Sequence, residues 1–160
     1  MRHWLFKSEP SAYSLDELAA DGTVGWDGVR NYQARNLLRD EIQPGDLVLF
    51  YHSNAKPPGV VGVARVTRGG HPDPTQFDPS SPGYDPKSSR EAPRWYQVEI
   101  AFVARLPEPV TLRRIKDDPI LRDMMVARRG MRLSVQPVEA AHFERVLRLG
   151  GLEPADSIVP

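Results

Sequence analysis

Leu47-Val48-Leu49-Phe50-Tyr51-His52-Ser53-Asn54-Ala55-Lys56-Pro57-Pro58-Gly59-Val60-Val61-Gly62-Val63-Ala64-Arg65-Val66 is the stretch on which the fold class turns. The apolar run over 47–51 reads as a strand, and the β-branched run over 60–66 as the next one. The string from Ser53 to Gly59 between them, with two prolines and a glycine, is a turn-rich loop. Working back from it, Pro44-Gly45-Asp46 stops a short helix expected over 32–39, in which Ala34, Leu37 and Leu38 recur at helical spacing. Further back, Ser14-Leu15-Asp16-Glu17 carries the capping-box pattern and should start a helix that ends at Asp21-Gly22. His3 to Lys7 reads as a first strand, stopped by Ser8-Glu9-Pro10.

Working forward, 69–93 is dense in Pro, Asp, Ser and Gly, and a segment of that length without periodicity is usually disordered or functional. Phe77 and Tyr84 argue for order there. Period-two alternation resumes over 95–103, with Tyr96, Val98, Ile100 and Phe102 on one face, and 133–135 can add one more strand. Helical signals follow at 111–116, 119–125 and 138–149, the last stopped by Gly150-Gly151, and a loose tail is expected over 155–160. Strands early and helices late, without regular βαβ alternation, predict an α+β fold with a mostly antiparallel, curved sheet or small barrel. There is no internal repeat, and the absence of GxxxxGK[ST] and GxGxxG removes the usual phosphate loops.

At 160 residues the chain is about one domain. With 40 % hydrophobic and 26 % charged residues it has an ordinary globular composition, and no apolar run approaches the roughly 20 residues of a membrane span. A soluble cytoplasmic protein is expected, or a nuclear one in a eukaryote. Without cysteine there are no disulfides, thiolate metal sites or cysteine nucleophiles. The 21 basic residues balance the 21 acidic ones, so any attraction to phosphate must be local. Arg113, Arg114, Lys116, Arg122, Arg128, Arg129 and Arg132 form either a basic face or a solvated helix surface.

Three strings mix chemistry that core packing alone does not ask for. In Trp26-Asp27-Gly28-Val29-Arg30-Asn31-Tyr32-Gln33-Ala34-Arg35, the π-face of Trp26 or Tyr32 can stack a base while Asn31 or Asp27 pairs with its polar edge. The packing alternative has Asp27-Gly28 as a turn, Trp26 in the core and Arg30 paired with a surface acid. Tyr51-His52-Ser53-Asn54 leaves an apolar strand, where His52 and Asn54 can hydrogen-bond a ligand or simply close a turn. Tyr84-Asp85-Pro86-Lys87-Ser88-Ser89 can hold a phosphate or form an ordinary turn. The four histidines His3, His52, His71 and His142 lack zinc-ligand spacing, and there is no GxSxG elbow. His71, Asp73, Asp78 and Asp85 could gather around a hard cation, although each Asp precedes Pro and is first a turn signal.

Taken together, several strings resemble one family, the EVE domain proteins. They are Trp4-Leu5-Phe6-Lys7-Ser8-Glu9-Pro10, the 26–35 string, Gly45-Asp46 through Asn54, Asp73-Pro74-Thr75-Gln76-Phe77-Asp78, the 84–89 string, Pro93-Arg94-Trp95, and Arg129 with Leu133-Ser134-Val135-Gln136-Pro137. The one departure is Met131, between Gly130 and Arg132 where arginine is expected directly after the glycine. The resemblance implies a single PUA-like domain over 1–150 with a tail over 151–160, a curved barrel flanked by short helices, related to the YTH domains that hold methylated adenine of RNA in an aromatic cage. It implies a non-catalytic module that binds DNA or RNA through a modified base, modified cytosine in DNA foremost, as a monomer with no cofactor, metal or membrane. By motif, the base pocket would draw on Ser8, Trp26, Asn31, Tyr32, Tyr51, His52, Ser53, Asn54, Lys87, Ser134 and Gln136. Arg30, Arg35, Arg128, Arg129 and Arg132 would meet the phosphate backbone. The rival readings are a small-molecule or nucleotide-binding module and a nucleotide-acting hydrolase. A basic rim around the pocket would favour nucleic acid over a metabolite, and a perturbed His52 or pocket carboxylate would favour the hydrolase.

Overall fold

Two long strands, β4 (Gly59–Pro72) and β5 (Tyr96–Thr111), form the antiparallel hairpin on which the rest of the sheet is built. The computed structural model describes residues 1–153. The other strands are β1 (His3–Ser8), β2 (Thr23–Gly25), β3 (Leu47–His52) and β6 (Val135–Val138), and the six lie in the order β2-β5-β4-β3-β1-β6. Four of the pairings are antiparallel and one, β1 with β3, is parallel. Among the described residues no pairing joins β2 to β6, so the sheet is open, where a barrel was one of the two forms expected.

The continuous apolar run of β3 follows from its place in the middle of the sheet, where both faces are covered. Val48 and Phe50 pack with Trp4, Phe6 and the helices α1 (Leu15–Asp21) and α2 (Tyr32–Asn36). Leu47, Leu49 and Tyr51 face the opposite core with Leu5 and with α3 (Leu112–Asp117) and α4 (Ala140–Leu149). The Ser14 capping box forms as expected, with Glu17 N donating to Ser14 Oγ and Ser14 N to the Glu17 carboxylate. The helix expected over 32–39 begins as α2, then widens into a π turn over Leu37–Glu41.

Three expectations shift. Strand β4 runs on through Gly69-Gly70-His71-Pro72, which composition assigns to the loop. Gly70 is required there because a Cβ would lie 2.5 Å from the Leu38 carbonyl oxygen, against the π turn. The helix expected over 119–125 is instead two 3-10 turns, Leu121–Asp123 and Met125–Ala127, since Asp118 accepts from Ile120 N and Leu121 N and ends α3 before them. The last strand is displaced to Val135–Val138. The tail expected over 155–160 lies outside the described residues.

The segment after β4 is ordered by polar side chains. Gln76 is buried; its amide nitrogen donates to the Asp73 and Trp95 carbonyls, and its oxygen accepts from Ser88 Oγ, Arg94 N and Trp95 N. Buried polar groups must be paired in this way, and here the pairing folds the loop back on its own stem.

Candidate nucleic-acid interface

An open cleft of about 620 Å³ lies where the end of β1 meets the chain leaving β2. Parallel pairing brings the ends of β1 and β3 to the same edge of the sheet, with Ser53 N donating to the Ser8 carbonyl at 3.0 Å. Beyond β2, Trp26 N donates to the Val98 carbonyl, and Gly28, at φ 79°, donates its N–H to Asp73 Oδ2 at 2.8 Å. These bonds hold 26–28 as a rigid wall of the cleft.

Trp26 is only 8 % exposed. It packs 5.4 Å from Phe6, with Phe50 and Tyr13 edge-on at 5.6 and 6.3 Å between centroids, and the remaining part of its surface lines the cleft. It is thus both core and cleft wall, which joins the two readings that the sequence left open. Ser8, Asn31 and Ser134 line the same cleft. Ser8 Oγ donates to the Tyr13 carbonyl at 2.5 Å, while Asn31 Oδ1 caps α2 by accepting from Ala34 N, so its amide nitrogen remains a donor for a ligand. Tyr13 donates its hydroxyl to Asp21, and burial together with that carboxylate pushes the phenol well above its usual range.

Arg30 also reaches the cleft, but its donors are committed. They go to the Val29 and Gly83 carbonyls, Thr75 Oγ1 and the buried Asp73 carboxylate, the last at 3.0 Å, and the guanidinium lies over the Trp95 ring. It therefore ties the 73–84 loop to the cleft wall and has no N–H to spare for phosphate, a correction to the sequence reading. Asp73 is desolvated, which pushes its carboxyl up, but hydrogen bonds from Thr75, Gly28 and Arg30 outweigh this and hold it below the usual carboxylate range.

A second hollow, of about 390 Å³, adjoins the cleft through their shared wall residue, Lys7. It is lined by Lys7, Lys116, Arg128, Arg129 and Arg132, with no carboxylate among its lining residues. Lys7 Nζ donates to the Met131 carbonyl at 3.1 Å, and burial lowers its pKa. Tyr51 forms part of this groove rather than of the cleft, and desolvation pushes its hydroxyl up to about 12. Arg128, Arg129 and Arg132 are exposed, and among the described residues their side chains make no hydrogen bond or ion pair. Arg113 and Arg114, by contrast, pair with Asp117 and Glu108.

The structure separates the remaining expected pocket residues from the cleft. Tyr32, 52 % exposed, stacks on Trp95 at 4.8 Å outside it, with the Arg35 guanidinium over its ring and bonded to the Arg94 carbonyl. His52 accepts from Leu15 N at the start of α1; burial lowers its pKa and so favours the neutral form that this bond needs. Ser53 and Asn54 belong to the turn after β3, where Asn54 adopts φ 52°. Lys87 sits in the exposed loop, and Gln136 is buried with its amide on the Leu133 carbonyl. The aspartates weighed for a cation serve turns instead: Asp78 accepts from Ser80, and Asp85 from Trp95 Nε1 and Lys87 N. Lys7, Tyr13 and Asp27 line the cleft although the motif carry-over omits them. The sequence did single out Asp27 as an edge partner, and its position directly after Trp26 was the usable signal.

Fold and site together define an α+β protein with an open, part-aromatic cleft beside a groove whose charged lining residues are all cationic. The chain belongs to the EVE domain family, whose model matches residues 2–149. It is 40 % identical to thymocyte nuclear protein 1 of Gallus gallus over 171 residues, covering 95 % of this chain and 70 % of that protein. A Leishmania major protein of known structure is 45 % identical with a TM-score of 0.88, the match covering 94 % of each chain. The crystal structure of human THYN1 protein in complex with 5-methylcytosine containing DNA is 38 % identical with a TM-score of 0.87, covering 96 % of this chain and 100 % of that one.

Proposed function

We propose that this chain is a non-catalytic DNA-binding module that takes one modified cytosine out of the base stack and holds it in the cleft beside Trp26. The carrying observation is that the cleft and the cationic groove lie side by side, sharing Lys7 as a wall residue. A volume of about 620 Å³ is in the range that encloses small organic ligands. The adjoining cations supply the local phosphate attraction that a molecule of zero net charge otherwise lacks. The cleft's own charged lining is balanced, Lys7 and Arg30 against Glu9 and Asp27, so the basic feature that favours a polynucleotide over a metabolite is the adjoining groove. The human relative's complex with 5-methylcytosine-containing DNA supports the same ligand class.

In this reading the base meets Trp26, Ser8, Asn31 and Ser134 while the backbone crosses Lys7, Lys116, Arg128, Arg129 and Arg132. Extrusion costs unstacking, which stacking of about 1–3 kcal/mol and edge hydrogen bonds offset. Ser8 and Tyr13 direct their hydroxyl hydrogens to a carbonyl and a carboxylate of the fold itself, which supports recognition rather than hydroxyl chemistry. Asp27 is perturbed upward and His52 downward, the feature set out as favouring a hydrolase, but neither is hydrogen-bonded to a hydroxyl among the described residues, and His52 Nε2 is taken up by Leu15 N. The module would be a single PUA-like domain over 1–150 and act as a monomer without metal or cofactor, in the nucleus of a eukaryote or the cytoplasm of a prokaryote.

The test is fluorescence anisotropy with labelled duplexes differing at one cytosine. Tighter binding to the 5-methylcytosine or 5-hydroxymethylcytosine duplex than to plain cytosine is expected. Equal affinity for all three would remove the reader.

A further inference from the structure

Asp27 is the carboxylate next to the aromatic wall, and its backbone is fixed: its own N–H donates to the Gly25 carbonyl at 2.9 Å, and both neighbours are bonded, Trp26 to Val98 and Gly28 to Asp73. Yet its carboxyl makes no hydrogen bond or ion pair with another described residue. Desolvation and then the Asp73 charge push that carboxyl up, with Arg30 and the residue's own backbone N–H opposing. Asp27 is exposed on the cleft wall, so its unpaired acceptor is open to a donor that a ligand brings, and a ligand that covers it without one leaves it unsatisfied. Glu9 also lines the cleft, is exposed like Asp27 and has its carbonyl bonded by Ala12 N and Tyr13 N, but its side chain is one methylene longer and it does not adjoin Trp26 in the chain.

We infer that Asp27 determines which base edge the cleft accepts, taking a hydrogen bond from an exocyclic amino group and so admitting cytosine-type bases while rejecting uracil-type bases of the same shape. The inference rests on the base-reader proposal and deepens it. An Asp accepting from the cytosine N4 amino group is a standard complementary pairing. The same oxygen facing a C4 carbonyl sets acceptor against acceptor and leaves both desolvated without a hydrogen, which is how a polar site rejects a near-isostere. 5-Methylcytosine and thymine isolate this contact, because they share the 5-methyl group and differ at C4. Asp27 thus separates methylated cytosine from the thymine that its deamination produces, while the apolar wall senses the methyl group.

The experiment uses the full chain and labelled single strands identical except for one central 5-methylcytosine, cytosine or thymine, so that base-pairing energy is absent. The parent should prefer 5-methylcytosine over thymine by about tenfold or more. Asp27→Asn, whose amide can turn to offer either a donor or an acceptor, should bring that ratio within about threefold while the preference for 5-methylcytosine over cytosine survives. Asp27→Ser should likewise lose the amino-over-carbonyl preference, and Glu9→Gln should change neither ratio. The inference is overturned if both Asp27 variants keep the full 5-methylcytosine over thymine ratio, if Glu9→Gln alone abolishes it, or if the parent prefers 5-methylcytosine over cytosine yet ignores the change to thymine. A parent that binds all three strands equally sinks the base-reader reading itself, an outcome distinct from any of these.

Discussion

Neutralising the groove should change the salt dependence of DNA binding by a calculable amount. Lys7, Lys116, Arg128, Arg129 and Arg132 line it, and if each meets one phosphate of B-DNA the slope of log K against log salt is about −4.5. Raising salt from about 50 to 200 mM then weakens binding about 500-fold. The triple variant Arg128→Gln, Arg129→Gln, Arg132→Gln leaves two contacts and a slope of about −1.8, so the same salt step costs only about 12-fold. These three side chains are exposed and have no partner among the described residues, so the fold should lose no more than about 0.5 kcal/mol per substitution. Arg113→Gln serves as a control, since Arg113 pairs with Asp117 outside the groove. The assay is anisotropy titration of a 5-methylcytosine duplex at four or more salt concentrations. A triple variant whose slope stays within about 0.5 of the parent's would refute the groove as the phosphate track.

Three further outcomes follow from the same geometry. Gln76→Ala strands the Trp95 amide and the Asp73 carbonyl, while Arg94 N keeps Ser88 Oγ and the Trp95 carbonyl keeps Asp73 N, at about 1–3 kcal/mol for each buried group left unpaired; urea unfolding should show a loss of at least about 2 kcal/mol, with faster proteolysis across 78–92. Asp73 has a depressed folded-state pKa, so its stabilisation is complete above the unfolded value of about 3.9 and is lost as pH falls through the lower folded value. Melting temperature should therefore drop below about pH 4 in the parent and less steeply in Asp73→Asn, and parallel pH profiles of the two proteins would contradict the assignment. Trp26→Ala removes core as well as cleft wall and should destabilise by about 3–5 kcal/mol, so the stacking role is better tested with Trp26→Phe, which should stay folded and bind a modified base more weakly.

Local signals in the sequence were enough for most of the secondary structure. Apolar runs, the Ser14 capping box and the glycines after Leu149 place strands and helices because each depends on neighbours within a few residues. They misjudged 69–72, where glycine and proline usually mean a loop, because the need for Gly70 comes from Leu38, which packs across it. They also took 119–125 for one helix, although the Asp118 side chain claims the first amides and divides it into turns.

The sequence by itself determined an α+β class, a neutral chain with an uneven basic segment, and membership of the EVE domain family through long ordered motifs. Only the tertiary structure decided which motif residues share a cleft. Ser8, Trp26, Asn31 and Ser134 do, whereas Tyr32, His52, Lys87 and Gln136 turn to other partners. The reason is the range of the contacts involved. Arg30 is taken up by Asp73, 43 residues away, and Lys7 reaches Met131 across 124 residues to join cleft and groove. No periodicity encodes such pairings; they exist only once parallel β1 and β3 and the folded-back loop after β4 have brought those residues together.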